Sequence, residues 1–421
     1  MATQASQFAL SLLPYESAAP AARIEALAVA NARRDDRVAL LVHRAGQYNP
    51  RMIDIRSTVV ALALGMLSAP LAATTCVPQR EAISVALPGF VSPAEIVLPP
   101  SATPRLGLLI LFPGSDVADM DGAIEGAGGV IVSRPMRQVA DRLACAGFAS
   151  LRYNKRFVTG PTTVDRAKFD ALNGVDFADD ARAALALARA RPGLAALPVG
   201  LIGWSEGTTV AVDVAAHDRS VAAVVLMAPV VASSASIAQA QYGRIGRPYL
   251  MRFATGGALD GDAIARADAG PGGDLAHIFV RMFRGFRPGE RVNPLLDKNG
   301  DGRIAFAEAD PIIASWYADG PDSGLGVAST ARALRGLATA FTATSAPMLI
   351  MQGLNDSMID PAAAEAFATR PDALRRVTLL TYPGLGHSLG PAMSAQEDAL
   401  LPIADKPLAD MARWLRTTLR Q

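Results

Sequence analysis

Residues 199–207 read VGLIGWSEG, an apolar strand that runs into the pattern Gly-x-Ser-x-Gly, and this stretch decides the fold. The glycines two positions before and two positions after Ser205 permit a sharp turn from a strand into a helix. Residues 208–216 have the pattern of a helix, so the context that the motif needs is present. Because such a turn projects its serine hydroxyl at the sheet edge, we interpret Ser205 as a catalytic nucleophile.

Short apolar strands and helical stretches alternate on both sides of this motif. Strands are predicted at 83–87, 94–99, 106–112, 149–153, 199–203, 221–227, 347–352 and 377–382, and helices at 134–147, 177–191, 207–217 and 408–420. Repeated β-α-β units with fully apolar strands predict a mostly parallel sheet that helices cover on both faces. Residues 81–230 and 345–421 supply this α/β core.

An insertion at 231–344 interrupts the alternation, because it is rich in Gly, Asp and Arg and contains only short helical pieces. We expect it to form a lid or cap over the edge of the sheet where the strands end. Four aromatic residues of the insertion either line an apolar pocket or form the core of the cap: Phe279, Phe283, Trp316 and Tyr317.

The composition excludes several classes of protein. Hydrophobic residues make up 51% of the 421 residues, which is ample material for a core and argues against extensive disorder. The 40 basic and 39 acidic residues nearly balance, which argues against a nucleic-acid partner. Two cysteines are too few for a disulfide scaffold or a cysteine-based zinc site. We expect no organic cofactor.

A nucleophilic serine needs a base to accept its proton, and the base needs a carboxylate to orient it. In this architecture the chain order is serine, acid, histidine. His387 lies in a glycine-containing loop directly after a strand, whereas His217 ends a helix and His277 lies in the insertion, so we predict His387 as the base. Asp356 follows another strand and is the predicted acid; the alternative, Asp360, has the pattern of a helix N-cap before Pro361.

An acyl-transfer transition state needs two N–H donors for its developing oxyanion. One predicted donor is the backbone of Glu206, the residue after the nucleophile. The other should come from the loop that follows the strand at 106–112, where we assign the N–H of Ser115, with Gly114 as the competing choice. Gly114 has no side chain, so a substrate could approach its backbone closely.

Four short motifs resemble those of bacterial serine esterases and peptidase-like hydrolases of the α/β-hydrolase superfamily, over residues 81–230 and 345–421. They read FPGS at 112–115, DMDG at 119–122, RYNKRF at 152–157 and GWSEG at 203–207. The usual family patterns carry a histidine before the oxyanion glycine and before the nucleophile, and here Pro113 and Trp204 stand at those places. The resemblance implies the α/β-hydrolase fold and hydrolysis of an ester, thioester or amide through an acyl-serine.

Residues 297–308, DKNGDGRIAFAE, fit the twelve-residue EF-hand calcium loop at each defining position. The predicted ligands are the side chains of Asp297, Asn299, Asp301 and Glu308 and the backbone carbonyl of Arg303. Gly302 supplies the turn at position 6, and Ala305 at position 9 implies a water ligand. We predict a structural Ca²⁺ that holds the cap.

Residues 57–73 form an uncharged, apolar segment that ends in small residues and follows Met52 and Arg56. This is the layout of a secretory signal peptide, which normally begins at an N-terminus. Residues 1–51 are then an extension before the true start at Met52; an internal signal-anchor or a buried core helix are the alternatives. We therefore predict an exported protein, periplasmic or secreted, with membrane anchoring as the alternative, and a Cys76–Cys145 disulfide becomes feasible.

The sequence thus predicts a serine hydrolase that acts on a small acyl ester or a short peptide. An exopeptidase or an acyltransferase could use the same triad. A calcium-dependent binding protein with a vestigial triad is the alternative outside enzymes.

Overall fold

The computed structural model describes residues 76–115, 117–126, 129–287, 289–318 and 334–420. The elements below belong to one compact unit that includes residues 77–126 and 131–420. Its main sheet contains β1 (Gln79–Leu87), β2 (Phe90–Leu98), β3 (Gly107–Phe112), β4 (Phe148–Tyr153), β5 (Val199–Trp204), β6 (Val221–Met227), β7 (Met348–Gly353) and β8 (Val377–Tyr382). The spatial order is β1-β2-β4-β3-β5-β6-β7-β8. Strand β2 is antiparallel to both neighbours, and every pair from β4 to β8 is parallel.

Two layers of helices cover the sheet. They are α1 (Pro135–Cys145), α2 (Gly174–Arg189), α3 (Gly207–His217), α4 (Pro361–Ala368) and α5 (Asp405–Thr418). The hydrophobic sides of α1 and α5 pack on one face, and those of α2, α3 and α4 pack on the other. Every residue of β3, β5 and β7 is buried, as expected for strands covered on both faces.

Local capping explains where α2 begins. The sequence pattern placed its start at residue 177, but the helix starts three residues earlier, at Gly174. Asn173 forms a capping box: its side chain accepts from the Asp176 N–H at 3.2 Å, and the Asp176 carboxylate accepts from the Asn173 N–H at 2.9 Å. This satisfies backbone donors that have no partner within a helix.

The insertion, called the cap below, has a hydrophobic core of its own. Its elements are the helices Ser234–Gln241, Arg247–Met251, Gly261–Asp268, Asp274–Phe283 and Phe306–Ala318, a π-helix at Tyr242–Gly246 and two short strands, Ala258–Asp260 and Arg303–Ala305. Phe279 and Phe283 are buried in this core, and Trp316 and Tyr317 pack against it. Of the two roles expected for these aromatic residues, the structure shows the core of the cap.

The last helix of the predicted insertion, Leu337–Thr342, packs on the α/β core instead. Leu337, Ala340 and Phe341 are buried in the same hydrophobic cluster as α3. The remaining short elements are the strand pairs Ile124–Glu125 with Ile131–Ser133 and Val158–Gly160 with Thr163–Val164, the helix Arg166–Phe169 and a 3₁₀ turn at Ala395–Glu397.

The predicted extension at 1–51 and the segment at 52–73 lie outside the described residues. Within the described ranges, no helix has both the length and the apolar character to cross a bilayer. Cys76 and Cys145, the two cysteines of the chain, are both disulfide-bonded.

Candidate active site

Ser205 occupies a strained turn between β5 and α3. Its φ is +54°, in the left-handed region that costs energy for a residue with a side chain. The turn is tight enough to require both glycines: a Cβ on Gly203 would lie 2.2 Å from the Gly207 oxygen, and a Cβ on Gly207 would lie 2.3 Å from the Phe112 oxygen. The backbone N–H of Ser205 donates to the Met227 carbonyl at 2.9 Å, which fixes the turn to the end of β6.

The predicted acid, Asp356, lies in the loop after β7 and is fully buried. One carboxylate oxygen accepts from the N–H groups of Met358 and Ile359, each at 2.8 Å. The other accepts from the Gln352 side chain at 2.8 Å. These three donors stabilise a buried negative charge and hold the carboxylate in one orientation. Asp360, the alternative acid, caps α4 by accepting from the Ala362 N–H at 3.0 Å.

His387 lies in the loop after β8, and its Nδ1 is 3.0 Å from each carboxylate oxygen of Asp356. The indole N–H of Trp204 donates to the His387 carbonyl at 3.0 Å. Trp204, the residue before Ser205, therefore holds the loop that carries His387, which we call the base loop. Burial alone would lower the pKa of His387. The Asp356 carboxylate, with a contribution from Asp398, outweighs burial and raises that pKa above its ordinary value.

The other two histidines considered from the sequence lie elsewhere. His217, at the end of α3, contacts the Asp213 carbonyl at 2.8 Å and the Arg335 guanidinium at 2.9 Å. His277 lies in the cap beside the Gly270 carbonyl at 3.3 Å. The structure therefore brings Asp356 together with His387, beside the turn that carries Ser205.

The predicted oxyanion residues flank the nucleophile. A Cβ on Gly114 would lie 3.2 Å from the Trp204 ring and 3.5 Å from the Ser205 Cβ, so the loop after β3 passes close to the turn that carries Ser205. Ser115 is the next residue of that loop, and Asp116 lies outside the described residues. Glu206 starts the turn into α3 and accepts from the Thr209 N–H at 3.0 Å. Its own N–H is thus left at the first turn of a helix, where backbone donors favour negative charge.

A buried ion pair next to the nucleophile involves Glu206, the residue that follows Ser205. The Lys155 ammonium lies 2.6 Å from the Glu206 carboxylate, and their side chains are 9% and 10% exposed. Lys155 also lies 4.8 Å from the centroid of the Phe177 ring. Because the two residues are 51 positions apart, only the RYNKRF and GWSEG motifs, read together, could have signalled the contact.

The cap contacts the acid loop through its π-helix. Arg244, within that helix, donates to the backbone carbonyl of Asp356 at 3.1 Å. Gln241, just before it, donates to the Met358 carbonyl at 2.9 Å. The cap therefore supports the segment that carries the candidate acid, a contact for which the sequence offered no signal.

The twelve-residue loop in the cap is folded by its own side chains. The Asp297 carboxylate accepts from the N–H groups of Gly300 and Gly302, each at 2.9 Å. Asn299 accepts from the Asp301 N–H at 2.8 Å, and Asp301 accepts from the Arg303 N–H at 2.8 Å. In the described part of the chain no three Asp, Glu, His or Cys side chains lie close enough together to hold a metal, so the carboxylates would have to close around an ion.

A second glycine loop lies beside this one. Strands Ala258–Asp260 and Arg303–Ala305 pair antiparallel, with Leu259 opposite Ile304. Gly257 lies two residues before Leu259, and Gly302 lies two residues before Ile304. Both glycines have positive φ values, of 76° and 79°. Residues 252–257, RFATGG, carry no carboxylate, so of these two loops it is the one at 297–308 that offers carboxylate ligands.

Taken together, the sheet order, the serine turn after β5, the acid loop after β7 and the histidine loop after β8 define the architecture. This is the α/β-hydrolase fold. The fold class predicted from the sequence is confirmed.

The chain was compared with known proteins by sequence and by structure. No protein-family model and no curated protein matches the chain. Among solved structures it is similar to Est1E from Butyrivibrio proteoclasticus, at 15% identity and a TM-score of 0.41 over 80% of this chain and 96% of that chain. It is also similar to dienelactone hydrolase from Anabaena variabilis, at 16% identity and a TM-score of 0.40 over 82% of this chain and 97% of that chain. A third similar structure is the Pyrococcus furiosus esterase PF2001, at 10% identity and a TM-score of 0.43 over 88% of this chain and 100% of that chain.

Proposed function

We propose that the protein is a serine hydrolase that cleaves carboxylic esters of small acyl groups through an acyl-serine. The observation that carries this proposal is the pairing of the His387 ring with both oxygens of a buried Asp356, beside a serine held at positive φ. A buried, multiply hydrogen-bonded carboxylate fixes the histidine tautomer, so that Nε2 is free to accept a proton. The motifs resemble those of both serine esterases and peptidase-like hydrolases, so the choice of an ester over a peptide is part of the proposal that substrate profiling tests.

The proposed reaction has two halves. The Ser205 oxygen attacks the ester carbonyl while His387 Nε2 accepts its proton, and the resulting oxyanion is bound by the N–H groups of Glu206 and of Ser115 or Gly114. The alkoxide leaves with the proton from His387, which gives an alcohol and acyl-Ser205. Water then attacks the acyl carbon with His387 as base, which releases the carboxylic acid and restores the serine hydroxyl.

The test compares the wild type, Ser205→Ala and the control Ser236→Ala, an exposed serine in the cap. We expect Ser205→Ala to lose turnover of short acyl nitrophenyl esters and labelling by a fluorophosphonate, with an unchanged melting temperature. Peptide mapping should place the label on Ser205. Retained turnover in Ser205→Ala would overturn the triad, and absence of label in a folded wild type would favour the binding-protein alternative.

Substrate profiling separates the enzymatic alternatives. Esters of increasing acyl length, short peptides, and esters with an added alcohol acceptor are offered to the wild type. We expect ester hydrolysis to dominate. Faster release of terminal residues from peptides would identify an exopeptidase, and product esters formed with the added alcohol would identify an acyltransferase.

We also propose that the protein is exported, with residues 52–73 as its signal. The paired state of both cysteines supports this, since structural disulfides persist mainly outside the cytosol. Expression of the full chain in a bacterium, followed by fractionation and N-terminal sequencing, tests it. We expect a periplasmic or secreted protein that begins near residue 74. An uncleaved chain in the membrane fraction would support the anchor instead.

We propose further that residues 297–308 bind a structural Ca²⁺. The support is an orphaned atom: Glu308 Oε2 is buried and has no hydrogen-bond partner within the described residues. Glu308 stands at position 12, where an EF-hand loop supplies a bidentate carboxylate. Asp297, Asn299 and Asp301 would supply side-chain oxygens, and Arg303 its carbonyl. A bound Ca²⁺ would contribute charge neutralisation, and no chemical step depends on it.

Calorimetric titration and thermal melts with Ca²⁺, Mg²⁺ or a chelator test this site. A ligand that binds only the folded state adds about 2.7 kcal/mol at a hundredfold excess over Kd. We expect Ca²⁺ to raise the melting temperature of the wild type and of Asp262→Asn, an exposed carboxylate on the neighbouring helix, but not of Glu308→Gln. Identical melts of the wild type with Ca²⁺ and with chelator would overturn the proposal.

A further inference from the structure

Asp398 is a buried carboxylate that touches both loops of the candidate triad without belonging to it. It follows the 3₁₀ turn Ala395–Glu397 and is 1% exposed. One of its oxygens accepts from the backbone N–H of His387 at 2.8 Å. The same oxygen accepts from the N–H and the hydroxyl of Ser357, at 3.1 and 3.0 Å. Ser357 directly follows Asp356, so a single oxygen joins the acid loop to the base loop.

The surroundings of Asp398 are shaped around its carboxylate. A Cβ on Gly386, the residue before His387, would lie 2.1 Å from the second Asp398 oxygen, so only glycine allows the base loop to come this close. That second oxygen accepts from the Leu400 N–H at 3.2 Å. Four donors therefore surround the Asp398 carboxylate, and its charge contributes to raising the pKa of His387.

The cap reaches the same segment. The backbone N–H of Gly273, which caps the helix Asp274–Phe283, donates to the Gln396 carbonyl at 2.7 Å. A Cβ on Gly273 would lie 2.1 Å from the backbone carbonyl oxygen of Asp398, so the helix Asp274–Phe283 begins directly against Asp398. Burial, together with the Asp398 charge, raises the pKa of Asp274 to about 6. The cap thus places a weakly acidic carboxyl group beside Asp398.

We propose that Asp398 is a positioning residue for the hydrolytic triad: it holds the Asp356 and His387 loops in one register and strengthens His387 as a base. This rests on the proposed serine-hydrolase function. Register matters because a misplacement of about 1 Å at a reacting group can cost on the order of a hundredfold in rate. Base strength matters because a second negative charge near the imidazole favours its protonated form.

The charge effect is tested on the ring itself. The chain has four histidines, so ¹³C-histidine labelling and NMR can follow His387, assigned with His387→Gln. The charged groups facing His387 are Asp356 and Asp398, and Asp274, beside Arg281, faces Asp398. We expect Asp398→Asn to move the His387 titration midpoint to lower pH. The control Asp410→Asn removes another buried carboxylate, whose partners are Lys406, Arg413 and Tyr382, and should leave the midpoint unchanged.

The register effect is tested by kinetics. We expect Asp398→Asn to lower kcat by up to about a hundredfold with a small change in KM. Ser357→Ala keeps the Asp398 charge and removes one bond of the joint, so it should lower kcat less and leave the His387 midpoint in place; it also serves if Asp398→Asn does not fold. Unchanged kcat in Ser357→Ala would overturn the register role, and an unmoved midpoint in folded Asp398→Asn would overturn the charge role. A wild type without ester turnover or fluorophosphonate label would instead refute the proposed function.

Discussion

Replacing Lys155 by methionine would leave a carboxylate buried directly beside the nucleophile. Lys155 and Glu206 form an ion pair of 2.6 Å with side chains only 9% and 10% exposed. Methionine fills a similar volume and preserves contact with the Phe177 ring, which Lys155 overlies at 4.8 Å. The Lys155→Met change therefore isolates the loss of the positive charge from the loss of packing.

The magnitude follows from the burial of the pair. Removing one partner of a buried ion pair costs about 3–5 kcal/mol, because the remaining charge is left without compensation. The double variant Lys155→Met with Glu206→Gln removes that charge as well, so it should regain most of the stability. We expect a coupling energy of about 2–3 kcal/mol between the two positions. Glu206 lies between Ser205 and the first turn of α3, so the single variant should also reduce labelling of Ser205.

The four proteins of this double-mutant cycle are the wild type, Lys155→Met, Glu206→Gln and the double variant. Urea denaturation of each protein measures its free energy of unfolding. A matched control is Lys168→Met, which breaks the pair with Asp165 at 2.8 Å, where the side chains are 64% and 45% exposed. An exposed pair of this kind contributes about 0–1 kcal/mol. If Lys155→Met loses no more stability than Lys168→Met, or the double variant is no better than the single one, the reasoning is refuted.

Four further predictions follow from the geometry. Asp356 and Asp398 outweigh burial and raise the pKa of His387, so kcat/KM for an ester should fall as the pH drops through that raised pKa. A fall of kcat/KM that begins only below the ordinary histidine pKa of about 6.5 would contradict this prediction. The same group adds stability that is present below about pH 6.5 and is lost as the pH rises through the folded-state pKa, so His387→Gln should remove that dependence of the melting temperature. Gly203→Ala, whose Cβ would lie 2.2 Å from the Gly207 oxygen, should prevent folding or labelling, whereas Gly243→Ala in the π-helix, with open space at its Cβ, should be tolerated; soluble, labelled Gly203→Ala protein would refute the argument. A thiol reagent should find no reactive cysteine in the native protein and two after unfolding with reductant, and a free thiol before reduction would contradict the disulfide-bonded state.

The fold could be predicted from the sequence because its decisive signals are local. Fully apolar strands alternate with helices, and the glycines around Ser205 specify one sharp turn within five residues. The candidate acid and the candidate base are assigned from chain order and from position at strand ends, which needs no knowledge of contacts. The start of α2 differed because a capping box at Asn173 extends the helix beyond its apolar pattern.

The supporting residues could not be predicted, since their partners are distant along the chain. Asp398 contacts Ser357 across 41 residues, and Arg244 contacts Asp356 across 112. Each is one of many charged residues until the fold brings the loops together. The helix Leu337–Thr342 shows the same limit: it lies in a stretch with the composition of the insertion, and only tertiary packing assigns it to the α/β core.

Hydrogen bonds and hydrophobic packing connect the cap to the loop that carries Asp356. Asp310, two residues after Glu308 on the same helix, accepts from the Tyr242 hydroxyl at 2.7 Å and from Arg247 at 2.9 Å. These two residues flank Arg244, which donates to the Asp356 carbonyl. Met358, within the acid loop, packs against the hydrophobic core of the cap. A change at the proposed calcium loop therefore acts on a helix that is linked through Tyr242 and Arg247 to the segment that contacts the candidate acid, so we expect the insertion to support the site.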